Sequence, residues 1–333
     1  MIISRTPFRV SLFGGGTDYP GWFENNSPGS VISFSINKYS YLLTRPLPPF
    51  FDYNYRIRYY KKEEVKKIND IEHPTVRESL KFFKLHNKKI DISHMSDLPA
   101  QSGLGSSSSF TVGLIHSLST MNNIYKTKKE LAYDAIKIEN DILKENIGCQ
   151  DQVSCAFGGL NQIKFEKNRT ITVEQIFLAE KNLTKFEESL FLVFTNLQRN
   201  ANKTAKEQIT RIQNHKNDEY LNEIIRITKY ANEEIFFNKK IDLNKLGEAL
   251  NQHWSVKKKL ADNITNPAID RVYNSGIKNG AIGGKLLGAG NGGFFIFVVK
   301  KNNQKKFLNS FKKSIVVPVK IDTTGSQIIY YKQ

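Results

Sequence analysis

A loop rich in glycine and serine, residues 98–109, stands directly before a segment whose hydrophobic residues recur mostly three or four positions apart. Gly103 and Gly105 allow the backbone to approach an anion closely, and the serines at 106–109 offer short hydroxyl donors. The spacing over residues 110–121 predicts a buried helix that begins in this loop. A helix N-terminus carries free N–H groups and a partial positive charge, so the pattern indicates a polyphosphate site. A serine-rich loop that only caps an ordinary helix explains the same residues.

Three further segments bear on how this loop is interpreted. They are residues 7–19, which include Arg9, residues 147–152, which include Asp151, and residues 285–293, which contain the run Gly288-Ala289-Gly290-Asn291-Gly292-Gly293. Phosphoryl transfer requires cations on the triphosphate and an acceptor oxygen held in line. Each residue also has a simpler explanation, since Arg9 on an alternating strand is commonly a surface cation and Asp151 fits a helix cap.

The order and spacing of the four segments resemble the GHMP kinases, named after galactokinase, homoserine kinase, mevalonate kinase and phosphomevalonate kinase. The resemblance spans most of the chain, and it implies an α+β fold of two domains with the active site between them. The first domain would resemble domain 2 of ribosomal protein S5, and the second would be a ferredoxin-like α/β domain. We expect the first domain, with the phosphate loop and the catalytic aspartate, over residues 1–182. The second, with the glycine-rich turn, is expected over residues 183–333.

The resemblance also implies a role for individual residues. Asp151 would accept or orient the proton of the attacking hydroxyl, and Arg9 would pair with Asp151 and neutralise charge on the migrating phosphoryl group. The cofactors would be ATP and Mg²⁺, with Ser107 and Glu139 as hard oxygen ligands of the metal. Neighbouring Ser106, Ser108 and Glu145 could replace those two ligands. The nucleotide phosphates would be bound by Gly103, Leu104, Gly105, Ser106, Ser107 and Ser108.

The segment Thr17-Asp18-Tyr19 matches the galactokinase branch, in which the acid binds sugar hydroxyls. The chain departs from that branch just before it, because Gly15-Gly16 stand where galactokinase has Glu-His, and Phe8 replaces a glycine. The loss of two side chains removes hydroxyl contacts and opens room, which argues against galactose. The substrate contacts implied by the resemblance are Asp18, Gly15, Gly16, Thr17, Gly288 and Gly290.

Residues 5–20, together with 148–152, most closely resemble the GHMP kinases of D-glycero-D-manno-heptose 7-phosphate. This resemblance implies phosphorylation of the anomeric hydroxyl to the 1,7-bisphosphate, which serves GDP-heptose synthesis and hence capsule or lipopolysaccharide. A kinase for another sugar, of the fucose or galactose type, is an alternative within the family. A sugar or nucleotide sensor without activity is an alternative from another class. An acceptor that already bears phosphate needs cations, for which the unranked candidates are Arg45, Arg77, Arg199, Lys38 and His73.

Other nucleotide motifs fit poorly. Residues 288–293 satisfy G-x-G-x-x-G, but a β-rich hexamer follows where a dinucleotide fold needs a helix. A P-loop is also missed, because Asn279 occupies its first glycine position and Leu286 follows Lys285. The chain has no HRD or DFG triplet, which excludes a protein kinase.

Composition limits the remaining possibilities. A chain of 333 residues with 39% hydrophobic residues predicts two globular domains. The sequence has no apolar run long enough for a membrane span and no signal peptide pattern, so we expect a cytoplasmic protein that binds no membrane. The net charge of +17 is scattered without a basic stripe, so we expect no nucleic acid as a partner. The resemblance implies a sugar phosphate and ATP as the small-molecule partners. The oligomeric state is left open, and Cys149 and Cys155 are expected as packed free thiols.

Several elements can be predicted from local patterns. The sequence predicts separate strands over 32–36 and 39–44, a capping box at Thr127 and Glu130, and a closing strand over 314–321. Long helical stretches are predicted over 201–238 and 242–260, and a shorter helix over 304–314. Glu139 lies beside a buried stripe, where it either faces inward or is solvated at the rim.

Overall fold

The computed structural model of the protein describes residues 1–26, 28–197, 201–237 and 240–332. The strands are β1 (Ile2–Phe13), β2 (Gly29–Pro46), β3 (Tyr55–Arg58), β4 (Lys62–Val65), β5 (Ile90–Ser96), β6 (Leu160–Phe165), β7 (Ile171–Gln175), β8 (Leu190–Phe194), β9 (Ala281–Leu286), β10 (Phe294–Val299), β11 (Val316–Pro318) and β12 (Gln327–Tyr331).

The α-helices are α1 (Pro20–Phe23), α2 (Pro74–Phe82), α3 (Ser106–Met121), α4 (Lys128–Ile136), α5 (Gln150–Phe157), α6 (Glu180–Ser189), α7 (Ala201–Gln213), α8 (Asp218–Tyr230), α9 (Leu243–Lys257), α10 (Pro267–Lys278) and α11 (Gln304–Ser310). Two π-helical segments, Lys137–Ile142 and Ala231–Phe236, continue α4 and α8.

The strands form two sheets. The first has the order β12-β1-β2-β5-β3-β4, and β6 pairs with both β2 and β7. The second has the order β11-β8-β10-β9. All pairs are antiparallel except β3 with β5.

Helix α3 lies against β1 and β2 and is buried on most of its surface. Its residues Val112, Leu114, Ile115 and Leu118 are inaccessible to solvent, which confirms the predicted buried helix. The capping box before α4 is present as predicted, since Thr127 and the side chain of Glu130 each accept the backbone N–H of the other. Cys149 and Cys155 are free and buried, as expected.

Three predicted elements begin or end at other residues in the structure. The two strands expected over 32–44 are one strand, β2, because the register against β1 shifts at Asn37 and Lys38 instead of the strand ending there. The helix expected over 201–238 is divided near 214–217 into α7 and α8, and the helix over 304–314 ends at Ser310.

The end of the chain returns to the first sheet. The closing strand expected over 314–321 is the short β11, and it is followed by β12, which pairs with β1. Sequence patterns missed β12 because its side chains are half-buried or exposed and lack a buried alternation. The proposed division at residues 182 and 183 falls within α6 and stays a proposal. None of the described helices has the length and apolar character needed to cross a membrane.

Candidate active site

Residues from both halves of the chain line one cleft of about 570 Å³. The first half contributes β1, the glycine-rich loop after it, the loop before α3 and the start of α5. The second half contributes α7, α9, β9 and the glycine-rich turn. The cleft therefore brings together Arg9, Gly15, Gly16, Asp18, Gly103, Gly105, Ser106, Ser107, Ser108, Asp151, His253, Lys257, Lys285 and Gly288.

The serine-rich loop opens α3 at the wall of the cleft. Gly105 is the N-cap residue in the left-handed conformation with φ 73°, and no side chain caps the helix. A Cβ atom at Gly105 would lie 3.0 Å from Cγ of Arg9, so glycine lets the loop approach that side chain. Leu104 is buried and does not line the cleft, but its carbonyl accepts the backbone N–H of Arg9 at 3.0 Å. The uncapped end of the helix faces the cleft, where an anion can accept hydrogen bonds from its N–H groups.

Arg9 and Asp151 form a two-pronged ion pair at the centre of the cleft. Nε of Arg9 donates to Oδ1 at 2.7 Å, and Nη2 donates to Oδ2 at 2.6 Å. Nη1 donates to the carbonyl of Gly103 at 2.8 Å, which links the pair to the phosphate loop. Arg9 is 4% exposed, whereas the side chain of Asp151 is 26% exposed. Burial opposes the charge of Arg9, but the pairing with Asp151 outweighs it and raises the pKa of the guanidinium.

Asp18 is buried beside this pair. Its carboxylate accepts the backbone N–H groups of Gly16 at 2.9 Å and Gln150 at 3.2 Å. Burial, and then the charge of Asp151, raise the pKa of Asp18. A Cβ atom at Gly148 would lie 1.9 Å from Oδ2 of Asp18, so only glycine permits this approach.

The remaining residues of the glycine-rich loop after β1 divide into two groups. Gly15 and Gly16 line the cleft, and their contact with a substrate stays a prediction. Thr17 does not line it, because its hydroxyl is buried between the carbonyls of Gly14 and Ser30, at 2.8 and 3.0 Å. Thr17 therefore holds the loop closed and does not face the space where a substrate would bind.

Glu139 faces inward from the π-helical segment and is fully buried. Its carboxylate accepts hydrogen bonds from Ser108 at 2.9 Å, Thr111 at 2.7 Å and Nε2 of Gln152 at 2.5 Å. The hydroxyl of Ser107 lies farther away, at 3.4 Å. Burial raises the pKa of Glu139 to about 7, against these hydrogen bonds, and the charge of Glu145 adds to the increase.

Ser107 and Glu139 fit a magnesium ion in the type of their ligand atoms. Both offer hard oxygen, and the 3.4 Å contact between them is the longest that Glu139 makes, so an ion could replace it most readily. The described part of the chain contains no group of three or more His, Cys, Asp or Glu side chains arranged for a metal. Phosphate oxygens and water would therefore complete the coordination, as is usual for magnesium.

The glycine-rich turn lies between β9 and β10 and packs on the phosphate loop. The backbone N–H of Phe294 donates to the carbonyl of Ser102 at 3.1 Å, and a Cβ atom at Gly293 would lie 2.4 Å from that oxygen. Gly288 lines the cleft, whereas Gly290 packs against Ile264 and does not. A strand follows the turn, which confirms that the dinucleotide fingerprint lacks its helix.

Sequence reasoning missed three basic side chains of the second half. His253 and Lys257 of α9 and Lys285 of β9 are buried and line the cleft. Nζ of Lys257 donates to the carbonyls of Leu286 and Gly288 and so braces the glycine-rich turn. The spacing of four between His253 and Lys257 places both on one face of a helix, which is the signal that the sequence offered.

The candidates named for a second phosphate lie elsewhere. Arg45 pairs with Asp91 at 2.9 Å, Arg77 pairs with Glu78 at 3.0 Å, and His73 stacks on Phe110. None of these three, nor Lys38, lines the cleft, and Arg199 lies outside the described residues.

Comparison with known proteins identifies the family. The models for the GHMP kinase N-terminal and C-terminal domains match residues 74–159 and 233–316. D-glycero-alpha-D-manno-heptose 7-phosphate kinase from Campylobacter jejuni is 28% identical and covers 94% of this chain and 93% of its own. Galactokinase from Pyrococcus furiosus is 24% identical over 91% of this chain and 90% of its own.

A solved structure shows the same fold. It is a D-glycero-D-manno-heptose 1-phosphate kinase from Bacteroides thetaiotaomicron, with a TM-score of 0.77, 22% identity and complete coverage of both chains. The predicted two-domain fold of mixed α/β content is thereby confirmed. The chain belongs to the GHMP kinase family and is an enzyme of that family, whose members use ATP as the phosphate donor.

Proposed function

We propose that the protein is a sugar kinase that transfers the γ-phosphoryl group of ATP to the anomeric hydroxyl of D-glycero-D-manno-heptose 7-phosphate. The product would be the 1,7-bisphosphate, for GDP-heptose and surface polysaccharide synthesis in the cytoplasm, where ATP is available. The observation that carries the proposal is the Arg9–Asp151 pair, which lies between the uncapped start of α3 and the loop of Asp18. The similarity to the Campylobacter jejuni heptose 7-phosphate kinase over 94% of the chain supports the choice of sugar.

The phosphate loop would bind the donor. The first N–H groups of α3 and the cleft-lining residues Gly103, Gly105 and Ser106 would accommodate the phosphate oxygens. Ser107 and Glu139 would hold Mg²⁺, which neutralises charge on the triphosphate when it is bound. Because the glycine-rich turn packs on Ser102, it would keep the loop in place while nucleotide binds.

Asp151 would act on the acceptor. Its side chain is partly exposed to the cleft, so one oxygen can accept a hydrogen bond from the sugar hydroxyl and then its proton. Arg9 holds the carboxylate in a fixed orientation through two hydrogen bonds, and its positive charge would stabilise charge on the migrating phosphoryl group. This placement is the main contribution the protein can make, since phosphoryl transfer depends on position and electrostatics.

The loop of residues 15–18 would contact the sugar. The carboxylate of Asp18 would accept hydrogen bonds from sugar hydroxyls. Because Gly15 and Gly16 have no side chains, they would leave room for a seven-carbon acceptor. Thr17 and Gly290 would act by supporting the loop and the turn, because neither lines the cleft.

The test is a coupled assay of ADP release with Mg²⁺ and ATP. Five acceptors are compared: heptose, heptose 7-phosphate, mannose 6-phosphate, galactose and fucose. The proposal expects the highest kcat/KM with heptose 7-phosphate. A higher kcat/KM with galactose or fucose would reassign the substrate, and ADP release that none of the five acceptors raises above the acceptor-free rate would contradict kinase activity toward these sugars.

A further inference from the structure

Beside the end of β1, the cleft contains a buried lysine amino group. Lys285 is 1% exposed, and its Nζ donates to the backbone carbonyl of Leu12 at 2.8 Å. No carboxylate of the described ranges lies within ion-pair distance of it. Burial, and then the charges of Lys257 and Arg9, lower the pKa of Lys285, so its charged form is costly unless an anion binds nearby.

The neighbouring His253 has a buried hydrogen-bond donor, Nδ1, for which no described residue supplies an acceptor. Its Nε2 accepts the backbone N–H of Gly14 at 3.2 Å, so the proton of the neutral ring is on Nδ1. Nδ1 is buried and makes no hydrogen bond to any described residue, although His253 lines the cleft. Burial of the whole side chain lowers the pKa of His253, which keeps the ring in this neutral form. A buried donor of this kind is unfavourable until a ligand supplies an acceptor.

Strand β1 fixes where these groups lie relative to the catalytic pair. Arg9 lies in the strand, and Ser11, two residues later on the same face, also lines the cleft. Lys285 and His253 are tied to Leu12 and Gly14, three to five residues beyond Arg9. At about 3.3 Å per residue, the backbone groups that they contact lie roughly 10 Å or more along the strand from Arg9. The phosphate loop is tied to Arg9 itself, through Gly103, so the basic groups lie on the acceptor side.

We infer that Lys285, His253 and Ser11 form the subsite for the phosphate group that the acceptor sugar already carries. An ammonium, an imidazole N–H and a hydroxyl are donors that suit the oxygens of a phosphate monoester. The inference rests on the proposed function, and it assigns the cations that the sequence left unranked. It also explains why a buried lysine faces a cleft that already contains the ion-paired Arg9.

The test compares one sugar with and without its phosphate. Rates are measured with heptose 7-phosphate and with unphosphorylated heptose for the wild type, Lys285→Met and Ser11→Ala. Loss of a hydrogen bond to a charged group predicts a fall of about 100-fold in kcat/KM for heptose 7-phosphate in Lys285→Met, and about tenfold in Ser11→Ala. In both variants, we expect kcat/KM for unphosphorylated heptose and the KM of ATP to change by less than about threefold.

Lys185→Met is the matched control. Its Nζ also donates to one backbone carbonyl, that of Ile241 at 2.9 Å, but it lies outside the cleft. The control should leave both rates unchanged. An equal loss with both acceptors in Lys285→Met and Ser11→Ala would overturn the inference in favour of a structural role. A rise in the KM of ATP would assign the basic groups to the donor.

Calorimetry separates this inference from the proposed function. If the wild type turns over neither heptose, the proposed function fails, and binding of the two sugars then decides the subsite. Tighter binding of heptose 7-phosphate than of heptose, lost in Lys285→Met and reduced in Ser11→Ala, supports the inference. Equal binding of the two sugars by the wild type overturns it. Since the hydroxyl of Ser11 forms no hydrogen bond with any residue that the structure describes, Ser11→Ala gives the answer even where Lys285→Met fails to fold.

Discussion

The two ends of the cleft differ in how their charges are balanced. At the phosphate-loop end, Arg9 and Asp151 neutralise each other through two short hydrogen bonds, so the pair is in place before any ligand binds. At the other end, Lys285 contacts a neutral carbonyl, and Nδ1 of His253 has no hydrogen-bond partner within the described part of the chain. This difference agrees with the two proposed roles, catalysis by a preorganised charge pair at the first end and binding of an acceptor phosphate at the second.

The largest effect is expected where the charge pair is broken. Asp151→Asn keeps the shape of the side chain but removes the proton acceptor, so kcat should fall by about 10²-fold or more. Nucleotide binding, measured by calorimetry, should be retained. The matched control is Asp141→Asn, which also removes a carboxylate paired with an arginine but lies outside the cleft. A rate for Asp151→Asn equal to that of the control would remove Asp151 from the mechanism.

A smaller loss is expected when the charge is kept and the geometry is changed. Arg9→Lys retains a cation but replaces the planar fork by one ammonium group, which cannot make the three hydrogen bonds of Arg9. We expect kcat to fall by about 10- to 100-fold with a smaller change in the KM of ATP, measured by coupled ADP release. Full activity in Arg9→Lys would show that charge alone is sufficient at this end.

The sugar contact proposed for Asp18 can be tested at Gly148. A Cβ atom there would overlap Oδ2 of Asp18, so Gly148→Ala must displace that carboxylate. We expect overpacking to destabilise the fold by about 1–3 kcal/mol and the KM of the acceptor to rise more than that of ATP. Chemical denaturation and acceptor kinetics measure the two effects. An unchanged acceptor KM would argue against a sugar contact at Asp18.

The smallest effect concerns a group outside the cleft. Burial lowers the pKa of His116, which bonds to Ser326, to about 4. Between pH 6.5 and 4 the unfolded chain therefore binds more protons, so stability falls as the pH falls through this range.

Relative to His116→Gln, the wild type should lose about 2 kcal/mol of unfolding free energy from pH 6.5 to 4.5. Urea denaturation at several pH values measures the difference. A difference that is constant with pH would mean that His116 titrates normally.

The phosphate-loop end of the cleft could be predicted from sequence because its residues lie in compact motifs. Arg9, Asp151 and the loop of residues 103–108 are recognisable from their neighbours, and the structure brings them together. Short-range patterns also indicated α3 and the strand after the glycine-rich turn. The inward direction of Glu139 could not be decided, because its donors come from both α3 and α5.

The other end of the cleft, with Lys285 and His253, could not be predicted in the same way. Lys285 and His253 become significant only through burial and through contacts with Leu12 and Gly14, more than 200 residues away in the chain. Motif position also does not decide whether a residue faces the cleft, since Thr17 and Gly290 lie in the expected segments but neither lines it. Strand β12 was missed because pairing with β1, and not burial, holds it in the sheet.

The most direct test of the account is phosphorus NMR of the reaction with heptose 7-phosphate, ATP and Mg²⁺. The account predicts one new phosphate signal per ADP formed, coupled to the anomeric proton, while the original 7-phosphate signal is retained. A new phosphate on any other carbon, or inorganic phosphate in place of a second sugar phosphate, would contradict it.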